Sequence, residues 1–131
     1  MDREQVARWL ERYVEAWRAN DGQVIGNLFT EDAQYRWHPW DEPVRGREAI
    51  VAGWLEDPDD PGSWDASYEP VAVDGDVAVA RGVSRYFKDG ALDRTYHNIF
   101  LIRFDDAGRC REFTEWYMKE SVPETAAQPA S

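Results

Sequence analysis

The sequence predicts an α+β domain in which a strongly curved, mainly antiparallel sheet wraps around three helices, in the order ααβαββββ. One observation behind this prediction is the helical spacing of apolar residues in the first half of the chain. The other is a series of alternating segments in the second half, joined by turn sequences such as "DGD" and "KDGA". Because helices and sheet each bury one face, we expect a pocket between them.

Three helices and one strand are predicted in the first half. Residues 3–19 place large apolar side chains on one face, opposite arginines and glutamates, and "NDG" ends this helix. Residues 23–29 predict a short second helix, and residues 47–56 predict a third, after the turn "DEPVRG". Residues 33–40 alternate in the manner of a strand, which is expected to end at Pro39.

The second half predicts a four-stranded antiparallel meander, and a single domain spans residues 1–120. No glycine- or proline-rich interior stretch is long enough to separate two cores. The small, polar residues of 121–131 predict a disordered tail. The four strands are expected at residues 66–73, 77–87, 92–104 and 109–118.

The charge of the chain limits its partners. A formal net charge of −11, from 26 acidic and 15 basic residues, repels nucleic-acid backbones and anionic membrane surfaces. The charged start "MDREQVARW" is unlike a signal peptide, and no apolar run is long enough to span a membrane, so we expect a cytoplasmic protein. Cys110 is the only cysteine, which excludes an internal disulfide and a cysteine-based metal cluster.

Three segments of the chain resemble a known superfamily. They are "RYVEAWRANDGQVIGNLFTEDAQY", "EPVRGREAIVAGW" and "FLIRFDDAGRCREFTEW". Together they resemble the nuclear transport factor 2-like (NTF2-like) superfamily, including its SnoaL-like branch and ketosteroid isomerases, over roughly residues 4–119. The resemblance implies a cone-shaped sheet around the helices. It leaves function open, since the superfamily hosts isomerases, cyclases, dehydratases, epoxide hydrolases and proteins that only bind.

The resemblance to ketosteroid isomerases assigns one catalytic group and leaves two without a match. Tyr13 matches the tyrosine that donates a hydrogen bond to the developing enolate in that family. Trp37 stands where the family has its aspartate base, with His38 one residue along, and Phe100 stands where it has a protonated aspartate. We therefore do not expect ketosteroid isomerisation by that mechanism.

Two arginines and a glutamate are candidates for the remaining chemistry. Alternation along "VAVARGVSRYF" puts Arg81 and Arg85 on one apolar face, which the resemblance directs into the cavity. The same match sends Phe113, Glu115 and Tyr117 inward. Either Glu115 forms a buried ion pair with an arginine, or one arginine anchors a substrate while Glu115 acts as base; rim arginines in water are a third possibility.

His38 is the alternative base, because histidine titrates near neutrality without special tuning. Strict alternation from Tyr35 and Trp37 points His38 away from the cavity, whereas a bulge or turn at Pro39 would swing it back. His97 alternates onto the outer face of its strand, opposite to its neighbours Asn98 and Phe100. The two histidines form no metal-binding motif, so no metal and no cofactor are expected.

Aromatic side chains are expected to line the cavity and to suit a flat or hydrophobic molecule. The predicted ligand-contacting set, apart from the two arginines, is Trp17, Tyr35, Trp37, Trp54, Asn98 and Phe100.

The outer face of the sheet is predicted to be apolar, with Ile99 and Leu101 beside Ala78, Ala80 and Tyr86, so we expect a homodimer through the sheet. The first hypothesis for function is a cofactor-independent lyase, isomerase, cyclase or hydrolase that acts on a small apolar or aromatic metabolite. The alternative is a non-catalytic ligand-binding or dimeric accessory domain.

Overall fold

The computed structural model describes residues 1–60 and 62–121, and it confirms an α+β fold with a curved, unclosed sheet. Six strands lie in the order β2-β1-β6-β5-β4-β3; every neighbouring pair is antiparallel except β1 and β6, which are parallel. The elements are α1 (Arg3–Ala19), α2 (Gly22–Gly26), β1 (Phe29–Arg36), β2 (Val44–Arg45), α3 (Arg47–Leu55), β3 (Trp64–Asp74), β4 (Val77–Lys88), β5 (Ala91–Phe104) and β6 (Cys110–Lys119).

The structure differs from the sequence prediction mainly between the second and third helices. The first strand starts at Phe29 and ends at Arg36, four residues earlier than expected at each end, and α2 is correspondingly short. The predicted turn before α3 contains the two-residue strand β2, which pairs with β1. The predicted tail, 121–131, lies outside the described residues except for Ser121.

The first helix has sharp ends because both carry capping residues. Asp2 and Gln5 form a reciprocal capping box at the N-terminus, and Asn20 adopts the left-handed conformation at the C-terminus. The buried face of α1 consists of Val6, Trp9, Leu10, Tyr13 and Ala16, which pack into the concave side of the sheet. This packing fixes the position of Tyr13 over the strands.

The core lies at one end of the concave surface. Trp9 contacts Phe29, Phe104 and Phe113 with ring centroids 5.6–6.2 Å apart, and its indole N–H donates to the carbonyl of Leu28. These rings close that end of the sheet, so any cavity lies further along the same strands.

The hairpin of β4 and β5 decides which residues face the helices. Ala78, Ala80 and Ser84 are buried on the concave side, so the prediction that Ala78, Ala80 and Tyr86 lie on the outer face is wrong. Ile99 and Leu101 are on the outer, convex face, where about 40% of each side chain is exposed. Small side chains on the concave side leave room for the rings of the core.

None of the helices in the described part of the chain combines the length and the apolar character needed to cross a bilayer.

Candidate functional site

A cavity of about 340 Å³ opens beyond the core, between α1, α3 and the strands β3 to β6. This volume lies within the range of roughly 300–1,000 Å³ that is typical of small-molecule sites. Aromatic rings form most of its wall, and polar or charged groups lie among them or at its mouth. The aromatic residues are Tyr13, Trp17, Tyr35, Trp37, Trp54, Tyr68, Tyr86, Tyr96 and Tyr117; the others include Asp57, Asp59, Arg94, Asn98 and Glu115.

A chain of hydrogen bonds crosses the sheet on the floor of the cavity. The hydroxyls of Tyr68 and Ser84 are 2.7 Å apart, and the Ser84 hydroxyl donates to Oδ1 of Asn98 over 2.9 Å. The amide nitrogen of Asn98 then donates to Oε2 of Glu115 over 2.7 Å. Ser84 and Asn98 are buried, and these contacts fix which of their polar atoms donate and which accept. The series of hydrogen bonds therefore holds the Glu115 carboxyl in one position.

Glu115 has an unusual environment for a carboxyl group. Burial raises the pKa of Glu115 from its ordinary value of 4.5 to about 7, while the Asn98 hydrogen bond and the charge of His38 lower it in part. Among the ion pairs of the described residues, none includes Glu115. The carboxyl can therefore both lose and gain a proton near neutral pH, which is the requirement for a general acid or base.

Two tyrosines form a pair of hydroxyls on the other side of the cavity. The hydroxyl oxygens of Tyr13 and Tyr35 are 3.0 Å apart and buried. Phe113 stacks on both rings, with centroids 5.4 Å and 4.5 Å away. Desolvation by burial raises the pKa of both phenols well above 10, so both keep their protons at neutral pH. When one hydroxyl donates to the other, one proton of the pair remains free to donate to a ligand.

Two glycines allow the aromatic walls to approach the backbone. A Cβ atom on Gly82 would lie 2.2 Å from the ring of Tyr68, its partner across β3 and β4, so the missing side chain lets Tyr68 lie over the sheet and reach Ser84. A Cβ on Gly53 would come within 2.8 Å of the Trp37 ring, which packs against α3. Both glycines shape the cavity.

His38 lies beside the cavity rather than in its wall. The strand ends at Arg36, and the backbone N–H of Asp41 donates to the carbonyl of His38, which closes a turn with Pro39 in its second position. Nδ1 of His38 is 2.9 Å from the Asp41 carboxylate, and Nε2 is 2.9 Å from the hydroxyl of Tyr117. His38 therefore reaches the cavity through Tyr117.

The prediction that Arg81 and Arg85 face the cavity is wrong. Both lie on the convex side of β4, where Arg81 pairs with Glu69 over 3.2 Å and Arg85 lies 4.0 Å from Asp65. Their side chains are about half exposed or more, and neither contacts Glu115. The predicted buried Arg–Glu115 pair is thus replaced by the Asn98–Glu115 hydrogen bond, and the predicted arginine anchor is absent from the site.

The other predicted residues divide between the cavity and its surroundings. Trp17, Tyr35, Trp37, Trp54 and Asn98 line the cavity. Phe100 is fully buried behind the rings of Tyr13 and Tyr68, so it belongs to the core and not to the cavity lining that was predicted for it. His97 is exposed on the convex side and bonds to Glu120.

Several functional candidates did not follow from the sequence. Tyr68 and Ser84 complete the hydrogen-bond chain, and Asp41 orients His38, yet none has a motif around it. One signal could have indicated Ser84, since it alternates onto the same face of β4 as Ala78 and Ala80. Small residues on one face of a strand mark the side that packs against helices. The family resemblance predicts that Tyr117 points inward. Its hydrogen bond to His38 depends on the turn at Pro39, which alternation does not predict.

Comparison with known proteins now identifies the family. The model of the SnoaL-like domain matches residues 10–113, so the chain belongs to the SnoaL-like family of the NTF2-like superfamily. No curated protein sequence matches at a significant level.

Two solved structures share the fold at low sequence identity. One is a candidate ketosteroid isomerase from Kribbella flavida DSM 17836, with a TM-score of 0.69 and 18% identity, over 99% of this chain and 90% of that one. The other is an NTF-2 like protein of unknown function from Burkholderia xenovorans LB400, with a TM-score of 0.68 and 16% identity, over 98% of this chain and 94% of that one. At such identities the likeness extends to the fold alone.

Proposed function

We propose that this SnoaL-like protein is a cofactor-independent enzyme that uses acid–base chemistry on a small apolar or aromatic molecule, as an isomerase, lyase, cyclase or hydrolase does. The observation that carries the proposal is Glu115, a carboxyl without a cationic partner among the described residues, held at the floor of an aromatic cavity. Its pKa of about 7 suits a group that takes a proton and returns it.

The mechanism assigns Glu115 as the base and the tyrosine pair as the hydrogen-bond donor. Proton loss from a carbon next to a carbonyl leaves negative charge on the carbonyl oxygen, and a fixed donor in an apolar site stabilises that charge. The free proton of the Tyr13–Tyr35 pair is such a donor, since burial keeps both phenols protonated. Stacking on Phe113 holds both rings in place.

The charges around the cavity favour a neutral substrate. Asp57 and Asp59 lie at the mouth and Glu115 at the floor, whereas Arg94 is the one cation among the residues that line the cavity. Arg94 is already bound to Asp93 and lies over the ring of Tyr86. An anionic substrate would meet repulsion from three carboxylates, so a neutral aromatic molecule fits better.

A probe reaction tests the proposal without the natural substrate. In 5-nitro-1,2-benzisoxazole, loss of the C3 proton to a base opens the ring and releases a coloured phenolate. We expect the wild-type rate to rise with pH and to level off above the Glu115 pKa of about 7. Glu115→Gln should lower the rate by about 100-fold or more. The matched control is Glu112→Gln, an exposed glutamate on the same strand, which should leave the rate unchanged.

The outcomes separate the two hypotheses for function. Equal rates in wild type and Glu115→Gln would remove Glu115 as the base. Binding of the probe, seen by quenching of tryptophan fluorescence, without turnover in the wild type would favour the non-catalytic ligand-binding domain.

We also propose that the chain forms a homodimer through the convex face of the sheet. Ile99, Leu101, Trp116 and Met118 lie on this face with 40–74% of each residue exposed. Such an apolar patch is unfavourable in water and is typical of a protein interface. Analytical ultracentrifugation should give a dimer for the wild type and a monomer for Trp116→Glu, and a monomeric wild type would contradict the proposal.

A further inference from the structure

Three side chains form a hydrogen-bonded series at the open side of the cavity. The Asp41 carboxylate contacts Nδ1 of His38, and Nε2 of His38 contacts the hydroxyl of Tyr117, each over 2.9 Å. Tyr117 lines the cavity, whereas His38 and Asp41 lie behind it, with about a third of each side chain exposed. The series therefore connects the cavity to solvent.

The local sequence fixes the orientation of the His38 ring. The turn at Pro39 brings the Asp41 carboxylate back, so that it accepts hydrogen bonds from both the backbone N–H and Nδ1 of His38. The ring of Trp40 stacks on the imidazole, with centroids 4.8 Å apart and planes at 16°. Because the Asp41 carboxylate accepts a hydrogen bond from Nδ1–H, Nε2 is left to exchange a proton with Tyr117.

Tyr117 is also close to Glu115. The two residues are two positions apart on β6 and point to the same face, which places their Cα atoms about 7 Å apart. Nε2 of His38 contacts the hydroxyl of Tyr117, so the imidazole lies at the edge of the cavity, and its charge lowers the pKa of Glu115 in part. The groups that face His38 are thus Asp41 from its own turn, and Glu115 and Tyr117 from β6.

We infer that Tyr117 is a second catalytic residue, which gives a proton to a departing oxygen atom while Glu115 takes one from carbon. This inference rests on the proposed function of Glu115. It assigns the reaction class as an elimination in which a C–H bond and a C–O bond break in one site. His38 and Asp41 are positioning residues that act through Tyr117.

The proton balance of this step is complete. The C–H proton moves to the Glu115 carboxylate, the C–H electron pair forms the new π bond, and the C–O electron pair leaves with the oxygen. That oxygen takes the hydroxyl proton of Tyr117, and Tyr117 recovers a proton that solvent supplies through Nε2 of His38. Glu115 then releases its proton to water, so no oxidant, reductant or metal is consumed.

A series of leaving groups tests the role of Tyr117. The probes are 5-nitro-, 5-chloro- and unsubstituted 1,2-benzisoxazole, in which an N–O bond stands in for the C–O bond. Their phenolate products become steadily more basic in this order and need protonation more. Tyr117→Phe should lower the rate for the nitro compound by less than about 3-fold and for the unsubstituted compound by about 30-fold or more. His38→Gln and Asp41→Asn should steepen the same dependence, Asp41→Asn by less.

The control for the histidine is His97→Gln, since His97 is exposed on the convex face and contacts Glu120. It should leave all three rates unchanged. Circular dichroism and urea unfolding of each variant establish that it is folded.

The results distinguish this inference from the proposed function. If Tyr117→Phe lowers all three rates by one common factor, Tyr117 only shapes the cavity and the inference is overturned, while Glu115 remains the base. If Glu115→Gln does not slow the reaction, or the wild type shows no turnover, the proposed function fails and this inference fails with it.

Discussion

The two ends of the concave sheet surface are built from the same strands and differ in chemistry. At the closed end, Phe100, Ile102 and Phe104 of β5 face Phe113 of β6, and all four are fully buried. At the open end, inward positions of the same strands carry Asn98, Glu115 and other polar groups. The change from one end to the other is marked by Ser84, Asn98 and Glu115, which are linked by hydrogen bonds diagonally across β4, β5 and β6.

This difference separates stability from function along one surface. Aromatic burial at the closed end stabilises the fold, since each large ring removed from water contributes roughly 1.5–3 kcal/mol. At the open end, burial disfavours the charged form of Glu115, so the carboxylate proposed as the base destabilises the folded state. The site is therefore expected to be less than optimal for stability.

Truncation at the closed end should have the largest effect. Phe113→Ala removes a fully buried ring that stacks on Tyr13 and Tyr35, so we expect the free energy of unfolding to fall by about 3–5 kcal/mol. Urea unfolding followed by tryptophan fluorescence measures this change. Leu92→Ala, which truncates an exposed leucine on β5, should change stability by less than about 1 kcal/mol. Similar losses in both variants would show that the buried ring of Phe113 does not stabilise the closed end.

Replacement of Glu115 should stabilise the protein above neutral pH. Between pH 4.5 and about 7, the folded chain keeps a proton on Glu115 that the unfolded chain has lost, so stability falls as the pH rises through this window. Glu115→Gln removes this loss and can still accept the Asn98 hydrogen bond. We expect it to be more stable than the wild type by about 2–3 kcal/mol at pH 8 and nearly equal at pH 4.

Urea unfolding at several pH values measures this difference, with Glu112→Gln as the control. Glu112 lies on the same strand, with a side chain about half exposed, so its replacement should give a difference that does not change between pH 5 and 8. If Glu115→Gln were less stable than the wild type at pH 8, the cavity would stabilise the charged carboxylate of Glu115, contrary to the prediction.

Most of the fold was predictable because every element except β2 has a local signal. The apolar stripe of α1, its capping residues and the Asp-Gly turns specify the helices and hairpins without reference to the rest of the chain. The strand β2 has only two residues and exists through its pairing with β1, so no periodicity could indicate it.

The β4–β5 hairpin shows why alternation could not decide which way Arg81 and Arg85 face. The turn at Asp89–Gly90 pairs Lys88 with Ala91, and this register, continued, would pair Arg81 with the inward Asn98. A bulge next to Tyr86 and Phe87 shifts the pairing by one residue, so Gly82 faces Asn98 instead. One extra residue exchanges the two faces of a strand, and alternation alone cannot locate a bulge.

Other parts of the site depend on contacts between distant residues. Tyr68 reaches Ser84 only because Gly82 has no side chain, and His38 reaches Tyr117 across 79 positions of sequence. Inward positions such as Glu115 could be read from the strand pattern and the family resemblance. Their hydrogen-bond partners, which decide the chemistry, follow from the folded backbone.

Loss of the Asn98 amide should have a smaller effect than loss of a core ring. Asn98→Ala leaves Ser84 and Glu115 without their shared partner, so we expect stability to fall by about 1–2 kcal/mol. Because the Asn98 hydrogen bond lowers the pKa of Glu115, its removal should raise that pKa, and the pH midpoint of probe turnover should move upward. Asn27→Ala, at an exposed asparagine, should leave the midpoint in place. An unchanged midpoint in Asn98→Ala would mean that the Asn98 hydrogen bond does not set the pKa of Glu115.

The smallest effect is expected at Arg81, on the convex side of the same strand as Ser84. About two thirds of its side chain and of its partner Glu69 is exposed, and a salt bridge of this kind contributes little because water screens both charges. Arg81→Ala should therefore change the free energy of unfolding by less than about 0.5 kcal/mol and should leave the pH midpoint of probe turnover where it is. A loss above about 2 kcal/mol, or a shift of that midpoint, would indicate that Arg81 faces the cavity. The strand register, on which the comparison of the two ends depends, would then be wrong.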